Sequence, residues 1–219
     1  MWDSLLKLFK IPDLKRRVIF TLMMLVIYRI GSHIPVPGMD PRALADIFAE
    51  GGLLGLFDMF AGGALSRFSI LALGIMPYIN ASIIMQLLTS VVPKLEELAK
   101  SGEEGRNRIA QLTRWGTILL AVVQGFGITV WMEGLGVVFT PGWPYRITVI
   151  LTLTAGTMFI MWVGELISDF GIGNGISLLI FAGIVARIGP QLLSSLALMR
   201  VGEINPLLFT VTLVIILGV

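Results

Sequence analysis

The feature that most constrains the fold of this sequence is an uncharged stretch, long enough to cross a membrane, that glycine and proline interrupt. Phe68 to Val92 holds 25 residues without a charged side chain, and a tilted helix of that length would cross a hydrocarbon core of ~30 Å. Gly74 and Pro77 break it. Because proline fits the first turn of a helix and disrupts the interior, we expect a helix from about Gly74 to Val92. The preceding Leu56 to Leu73 is then a separate apolar segment entering the membrane, where irregular backbone needs protein or water around it.

Composition places the chain in the class of integral membrane proteins. Hydrophobic residues make up 56% of the sequence and charged residues 14%, against ~25% charged in soluble domains. The chain has no cysteine and one histidine, His33, so we expect no disulfide framework, no metal site and no cofactor. The first apolar run lacks a small-residue cleavage site, so we expect the N-terminus to be retained.

The predicted helix after Gly74 has one face that changes character along its length. At ~100° per residue, Ile75, Ile79 and Ile83 share an arc of ~80°. The same arc carries polar residues towards the helix end, namely Ser82, Gln86 and Thr89. Such a face suits the wall of a water-filled passage, and it equally suits isoleucines packed between helices with polar groups bonding across them. Periodicity alone favours the second interpretation.

The rest of the chain divides into further apolar runs. Residues 1–14 are predicted to form an amphipathic helix on the cytoplasmic membrane surface. Spans are predicted at 18–34, 74–92, 115–131, 147–165 and 176–188, with a hydrophilic cytoplasmic loop at 93–114 and an external loop plus a truncated sixth span at 191–219. Arg29, near the far end of the first span, is expected to reach the interface. A cytoplasmic N-terminus puts ten basic residues inside and six outside, which favours that orientation.

The motif GIGNGIS at Gly171–Ser177 is predicted to be an irregular turn within the membrane. It is not a dinucleotide fingerprint, since the third glycine is one position early and no strand precedes it. Its glycines allow positive φ and close backbone approach. The helix that follows, to Ala186, would be only ~17 Å long, so we expect the turn to lie below the membrane surface beside a cavity. Ile176 and Ile180 form another i, i+4 pair on this helix.

Four long runs, in the right order, resemble the bacterial SecY family, the channel subunit of the general protein-secretion translocon. They are YRIGSHIPVPGMD, MFAGGALSRFSILALGIMPYINASIIMQLLT, SGEEGRNRIAQLTRWGT and GTMFIMWVGELISDFGIGNGISLLIFAGIVA. The resemblance runs from about Lys15 to Ala186. It implies an all-α polytopic membrane protein with five transmembrane helices, the start of a sixth and a short re-entrant plug helix. Residues 15–190 would form one half of an inverted-repeat clamshell, and the C-terminal half is expected to be missing.

The resemblance also implies functional parts. The plug, which blocks the outer funnel, corresponds to 57–70, with Phe57, Asp58, Met59, Phe60, Arg67 and Ile70. The pore ring, a girdle of branched apolar side chains, corresponds to Ile75, Ile79, Ile83, Ile176 and Ile180. The lateral gate, which opens towards lipid, corresponds to Ser82, Gln86, Thr89 and Gln124. On this basis the pore-wall interpretation of the isoleucines replaces ordinary packing.

The resemblance further implies partners and a location. The partners are SecE-like and SecG-like membrane subunits, a SecA-type motor ATPase or the ribosome, translocating polypeptides with their signal sequences, the lipid bilayer, and the missing C-terminal half. The location is the bacterial inner membrane, multi-pass, with a cytoplasmic N-terminus. No enzyme is predicted, because the chain has no phosphate-binding loop and no catalytic cluster, and Glu165 and Asp169 at a helix end suit a structural role.

Two alternatives stay open from the sequence. Half of a secondary transporter would also use broken helices, but it needs polar groups that converge near mid-membrane, and the second to fourth predicted spans have no ionisable group in their middle thirds. A non-transporting membrane assembly subunit would not need the isoleucine ring.

Overall fold

The computed structural model describes residues 12–40, 44, 58, 62–186 and 199, and within them the only regular structure is helical. The helices are α1 (Pro12–Gly31), α2 (Met76–Val91), α3 (Pro93–Lys100), α4 (Glu103–Gly134), α5 (Trp143–Phe170) and α6 (Gly175–Ala186). Two isolated antiparallel bridges, Pro35 with Ser69 and Met39 with Val138, join the loops. The predicted all-α fold class is confirmed. Residues 1–11 of the expected surface helix (1–14) and the sixth span lie outside the described residues, while residues 12–14 belong to α1.

Proline marks the first turn of several helices, as its missing N–H and fixed φ favour. α2 begins at Met76 with Pro77 in that turn, and Gly74 precedes it with φ of +57°. Pro93 and Pro144 occupy the same place in α3 and α5. The break expected from Gly74 and Pro77 is therefore present, and α2 starts after both the glycine and Ile75.

α4 and α5 form a pair of long apolar helices. Among the described residues they are the two whose length and composition suffice to cross a membrane. Most of the residues that α4 buries are small and recur every fourth position, namely Thr113, Thr117, Ala121, Gly125 and Thr129. A Cβ on Gly125 would stand 3.7 Å from the Ile150 Cα of α5. Small residues let helix backbones approach closely in a membrane protein, and this face brings α4 against α5.

The hydrophilic segment 93–114, predicted to be the cytoplasmic loop between the second and third spans, is built largely of helix. It comprises α3 and the first part of α4, with ion pairs one turn apart between Lys100 and Glu96 (2.6 Å) and between Arg108 and Glu104 (2.8 Å). Hydrophilicity indicated exposure to water but not the absence of a helix, and these i, i+4 pairs favour helix. The 32 residues of α4 extend ~48 Å, so the helix is longer than a ~30 Å hydrocarbon core requires.

Candidate functional site

The centre of the site is a run of turns, residues 62–75, which we call the central turn segment. Most of its side chains are buried, namely Ala64, Leu65, Phe68, Ser69, Leu71, Ala72, Leu73 and Ile75. Phe68 has φ of +43°, unlike every other described non-glycine residue. A phenylalanine in the left-handed region is strained, and its 1% exposure shows that burial of the ring holds it there.

Glycines on three helices allow the backbone of the central turn segment to come close. A Cβ on Gly31 of α1 would stand 2.7 Å from Leu71 Cδ1, and one on Gly156 of α5 would overlap the carbonyl oxygen of Ile70. On α6, a Cβ on Gly183 would stand 3.4 Å from the Gly62 Cα. The segment therefore lies directly against α1, α5 and α6.

Two charged side chains hold the start of this segment. Asp58 Oδ1 accepts hydrogen bonds from the backbone N–H groups of Leu65 (3.0 Å) and Ser66 (2.9 Å). Arg29 Nη1 donates to the carbonyl oxygen of Gly62 at 2.9 Å. Bonds to charged groups are stronger than those between neutral groups, so the carboxylate and the guanidinium both fix the backbone here. The sequence indicated neither contact, because the partners are backbone groups.

The residues predicted for the plug are partly described. Phe57, Met59 and Phe60 lie outside the described residues. Asp58 is buried, Ile70 is half-buried and Arg67 is exposed. The described part of 57–70 that is continuous, 62–70, forms turns and not the expected helix.

Backbone geometry accounts for this departure from the expected helix. Gly62 and Gly63 have φ of +64° and +84°, which right-handed helix does not accommodate. Further along, Ile70 N–H donates to the Ile34 carbonyl and Val36 N–H to the Phe68 carbonyl, both at 2.9 Å. The end of the predicted plug is thus paired with the loop after α1.

Four of the five isoleucines predicted for the pore ring lie in or against one apolar cluster. Ile75 is buried within it at 5% exposure, and Ile79, Ile176 and Ile180 pack against it partly exposed. Ile83 is 51% exposed. A Cβ on Gly164 would stand 2.5 Å from Ile176 Cδ1, so Ile176 rests on α5. This cluster is the main core of the described residues and also includes side chains of α1, α4 and α5.

The polar residues predicted for the lateral gate follow α2 and α4. Gln86 Nε2 lies 3.4 Å from Ser82 Oγ, and Thr89 Oγ1 donates to the Gln86 carbonyl at 2.7 Å. Gln86 is exposed, while Ser82 and Thr89 are half-buried on α2 and Gln124 is half-buried on α4. The three α2 residues form a continuous polar stripe beyond the isoleucines.

The turn GIGNGIS uses its glycines for two different purposes. Gly173 is needed for its backbone conformation, since its φ of +70° is one that other residues rarely adopt. Gly171 and Gly175 are instead needed for space, since a Cβ on the first would stand 2.5 Å from Thr21 Oγ1 and one on the second would overlap the Gly164 carbonyl oxygen. Arg17 Nη1 also donates to the Gly171 carbonyl at 3.3 Å. The turn is thereby held between α1 and α5.

Two ion pairs join the ends of α4 and α5. Arg114 binds Glu165 through two contacts of 2.9 Å, and Arg146 Nε donates to Glu133 Oε2 at 2.8 Å. Hydrogen bonds from Arg146, and a further one from the Gly142 N–H, hold the pKa of the Glu133 carboxyl below its usual range. In both pairs the partners flank uncharged runs, 115–132 and 147–164. In the sequence, each uncharged run follows an arginine and precedes a glutamate. In two antiparallel helices this arrangement places an arginine beside a glutamate at both ends, so the sequence could have predicted both pairs.

Comparisons with known proteins agree with the resemblance in the sequence. The family model for SecY matches residues 69–219. The protein translocase subunit SecY of Pseudomonas aeruginosa is 51% identical over 197 residues, covering 89% of this chain and 45% of that protein. The same subunit of Escherichia coli K12 is 47% identical over 213 residues, covering 94% of this chain and 48% of that protein.

Solved structures share the fold. One described as a protein-conducting channel has a TM-score of 0.66 at 22% identity, covering 93% of this chain and 46% of its own. A SecY structure, described as showing that the plug domain stabilises the closed state and maintains a membrane seal, has a TM-score of 0.62 at 25% identity, covering 88% and 42%. The chain spans just under half the length of the curated relatives quoted above.

Proposed function

Because this chain belongs to the SecY family, we propose that it forms one half of a protein-conducting channel in a translocon. The complete channel passes unfolded polypeptides across the membrane and releases hydrophobic segments sideways into lipid. The observation that carries the proposal is the arrangement of the isoleucines. Ile75, Ile79, Ile176 and Ile180 come from two separate parts of the chain and lie in or against a single apolar cluster, next to the buried central turn segment.

The proposed seal is hydrophobic. Isoleucine side chains carry no hydrogen-bond donor or acceptor, so a narrow passage between them dewets and resists ions. Ile83 is exposed, and Ile79 and Ile180 are partly exposed. These three side chains supply the surface that meets the passage. The plug at 57–70 fills the outer side, and the chain does no chemistry of its own.

The proposed lateral gate is the stripe of Ser82, Gln86 and Thr89 on α2, with Gln124 on α4. Polar side chains here meet the polar backbone of a passing segment, while the neighbouring apolar side chains, such as Leu87 at 62% exposure, meet lipid or the second half of the channel. A signal sequence moving from water to lipid needs both environments side by side.

The proposed partners are those of a secretion translocon. They comprise the second half of the channel, SecE-like and SecG-like subunits, a SecA-type motor ATPase or the ribosome, and polypeptides bearing signal sequences. The exposed charged surface of α3 and the start of α4 faces the proposed cytoplasmic side. The proposed location is the bacterial inner membrane.

Half of a secondary transporter is the second candidate, and the described helices do not favour it. The uncharged runs 115–132 and 147–164 have no ionisable side chain with which to hold a polar solute at mid-membrane. A transporter would therefore have to rely on hydroxyl and amide groups alone.

The orientation predicts which loops face each side of the membrane. In single-cysteine variants of this cysteine-free chain, a membrane-impermeant maleimide should reach Ser4→Cys and Ser101→Cys from the cytoplasm and Thr140→Cys from outside. The basic residues near α1 and before Trp115 are the reason. Labelling of Ser101→Cys from outside in intact cells would contradict the orientation.

Site-specific crosslinking of a stalled polypeptide tests the function. A secretory polypeptide arrested in transit should crosslink to probes at Ile79, Gln86 and Ile180 in the complete protein. A probe at Leu119, 66% exposed on α4, is the control and should not crosslink, since it lies outside the proposed passage. A polypeptide that crosslinks at neither Ile79 nor Ile180 would favour a transporter. Uptake of a solute in the absence of a polypeptide would favour it as well.

A further inference from the structure

We propose that residues 64–75 of the central turn segment are a permanent part of the channel wall and stay docked while a polypeptide passes. The inference rests on the proposed function and narrows its proposed plug. Whatever moves to open the outer side of the channel, this part of the chain does not move with it.

Burial is the first reason. Ala64 and Ser69 are fully buried, and Phe68 and Leu71 are 1% exposed. Removing such side chains from their surroundings exposes apolar surface to water, which costs free energy in proportion to the area exposed. If this segment moved to open the channel, it would have to undock for every polypeptide. Each undocking would expose the apolar surface of the segment and of the helices that it covers.

Backbone contact is the second reason. The backbone carbonyl of Ile70 occupies the space that a side chain on Gly156 would take, and the Leu71 side chain adds a contact in the space beside Gly31. These positions belong to α5 and α1, so the segment lies between helices that are distant in sequence. A displaceable closure would instead be expected to meet its surroundings through side chains that can slide.

Hydrogen bonding is the third reason. The pair of bonds around Pro35 and Ser69, from Ile70 N–H to the Ile34 carbonyl and from Val36 N–H to the Phe68 carbonyl, joins the segment to the loop after α1. The Ile70 N–H and the Phe68 carbonyl have these partners only in the docked position, so leaving would break both bonds, whereas internal bonds such as the one from Ser69 N–H to the Ala64 carbonyl would move with the segment.

The Pro35–Ser69 bridge offers a direct test, because the two residues form the close, non-hydrogen-bonded type of antiparallel pair. Such a spacing suits a disulfide. The variant Pro35→Cys with Ser69→Cys, in the complete protein within its complex, should form the disulfide in the resting channel. Secretory polypeptide should then enter membrane vesicles at the same rate whether the disulfide is oxidised or reduced.

The second bridge supplies a matched control. Met39 and Val138 form the same type of pair, flanked by bonds from Asp40 N–H to the Val137 carbonyl and from Phe139 N–H to the Gly38 carbonyl. The double variant Met39→Cys with Val138→Cys measures the effect of oxidation and of a disulfide between external loops. Translocation lost on oxidation of the 35–69 pair and kept with the 39–138 pair would overturn the proposal, and so would failure of the 35–69 disulfide to form.

A labelling experiment keeps the proposal testable if the double variant does not fold. Ser69→Cys alone should resist a water-soluble maleimide both in the resting channel and with a polypeptide stalled inside, because Ser69 is fully buried. Labelling that appears only with the stalled polypeptide would overturn the proposal. If the parent of these variants, with any cysteine of the second half replaced, itself fails to translocate, the proposed function fails, and the inference falls with it for that separate reason.

Discussion

Replacing Gly156 by alanine is expected to destabilise the protein severely, with most of the protein failing to accumulate in the membrane. The new Cβ would overlap the Ile70 carbonyl oxygen and stand 2.9 Å from its carbonyl carbon. These are backbone atoms of the central turn segment, so no side-chain rotation relieves the overlap. Overpacking a well-packed interior costs ~1–3 kcal/mol and sometimes more, and here it also displaces a segment that contacts three helices.

Gly127→Ala is the matched control for this prediction. Gly127 lies in the interior of α4, and a Cβ there would meet nothing within 4 Å. Because alanine favours helix over glycine by up to ~1 kcal/mol, the control should melt at the same temperature as the parent or slightly higher. The measurements are the amount of each variant that accumulates in the membrane and the thermal unfolding of the detergent-solubilised complete protein. Equal melting temperatures for the two variants would mean that the central turn segment is not docked against α5.

The sequence predicted the parts of the fold that depend on local chemistry. A proline's place in a helix is decided by its own ring, so Gly74 and Pro77 indicated the break before α2. Long uncharged runs indicated α4 and α5, and the order of the motifs indicated the family. The cytoplasmic position of the loop 93–114 stays a prediction, and its charge did not indicate that the loop is built of helix, with Glu104 and Arg108 paired one turn apart.

Contacts between distant parts of the chain could not be predicted in the same way. That Gly31, Gly156 and Gly183 serve a single segment becomes visible only when three helices are assembled around it. The bond from Arg29 to the Gly62 carbonyl has a backbone acceptor, which leaves no trace in residue types. The resemblance implied a helical plug, and the positive φ angles that exclude right-handed helix at Gly62 and Gly63, within the described stretch 62–70, are set by the tertiary fold.

Changing Ile79 and Ile180 together to serine in the complete protein is expected to turn a tight channel into one that conducts ions at rest. Both side chains are partly exposed and border the apolar cluster, so serine would replace a dry surface with hydroxyl groups and widen the passage. A hydrophobic constriction that accepts water no longer excludes ions. Defective signal sequences should also be tolerated better, since less work is needed to open the channel.

Loss of packing is the competing outcome, and it has its own control. Truncating a buried isoleucine to a small side chain costs ~2–5 kcal/mol when the cavity stays empty. Ile160, at 2% exposure in α5, is such a residue, and Ile160→Ser should lower the melting temperature without opening a conduction path. Ile75, which is buried at 5% exposure, should show both effects when changed to serine.

Single-channel conductance of the complete channel in planar bilayers, recorded beside the melting temperature of the same preparation, is the most direct measurement of the central claim. The double variant at Ile79 and Ile180 should show resting conductance with a melting temperature close to that of the parent, and the Ile160 variant the reverse. If the double variant melts sharply lower and stays electrically tight, these isoleucines are ordinary core residues and do not seal a pore.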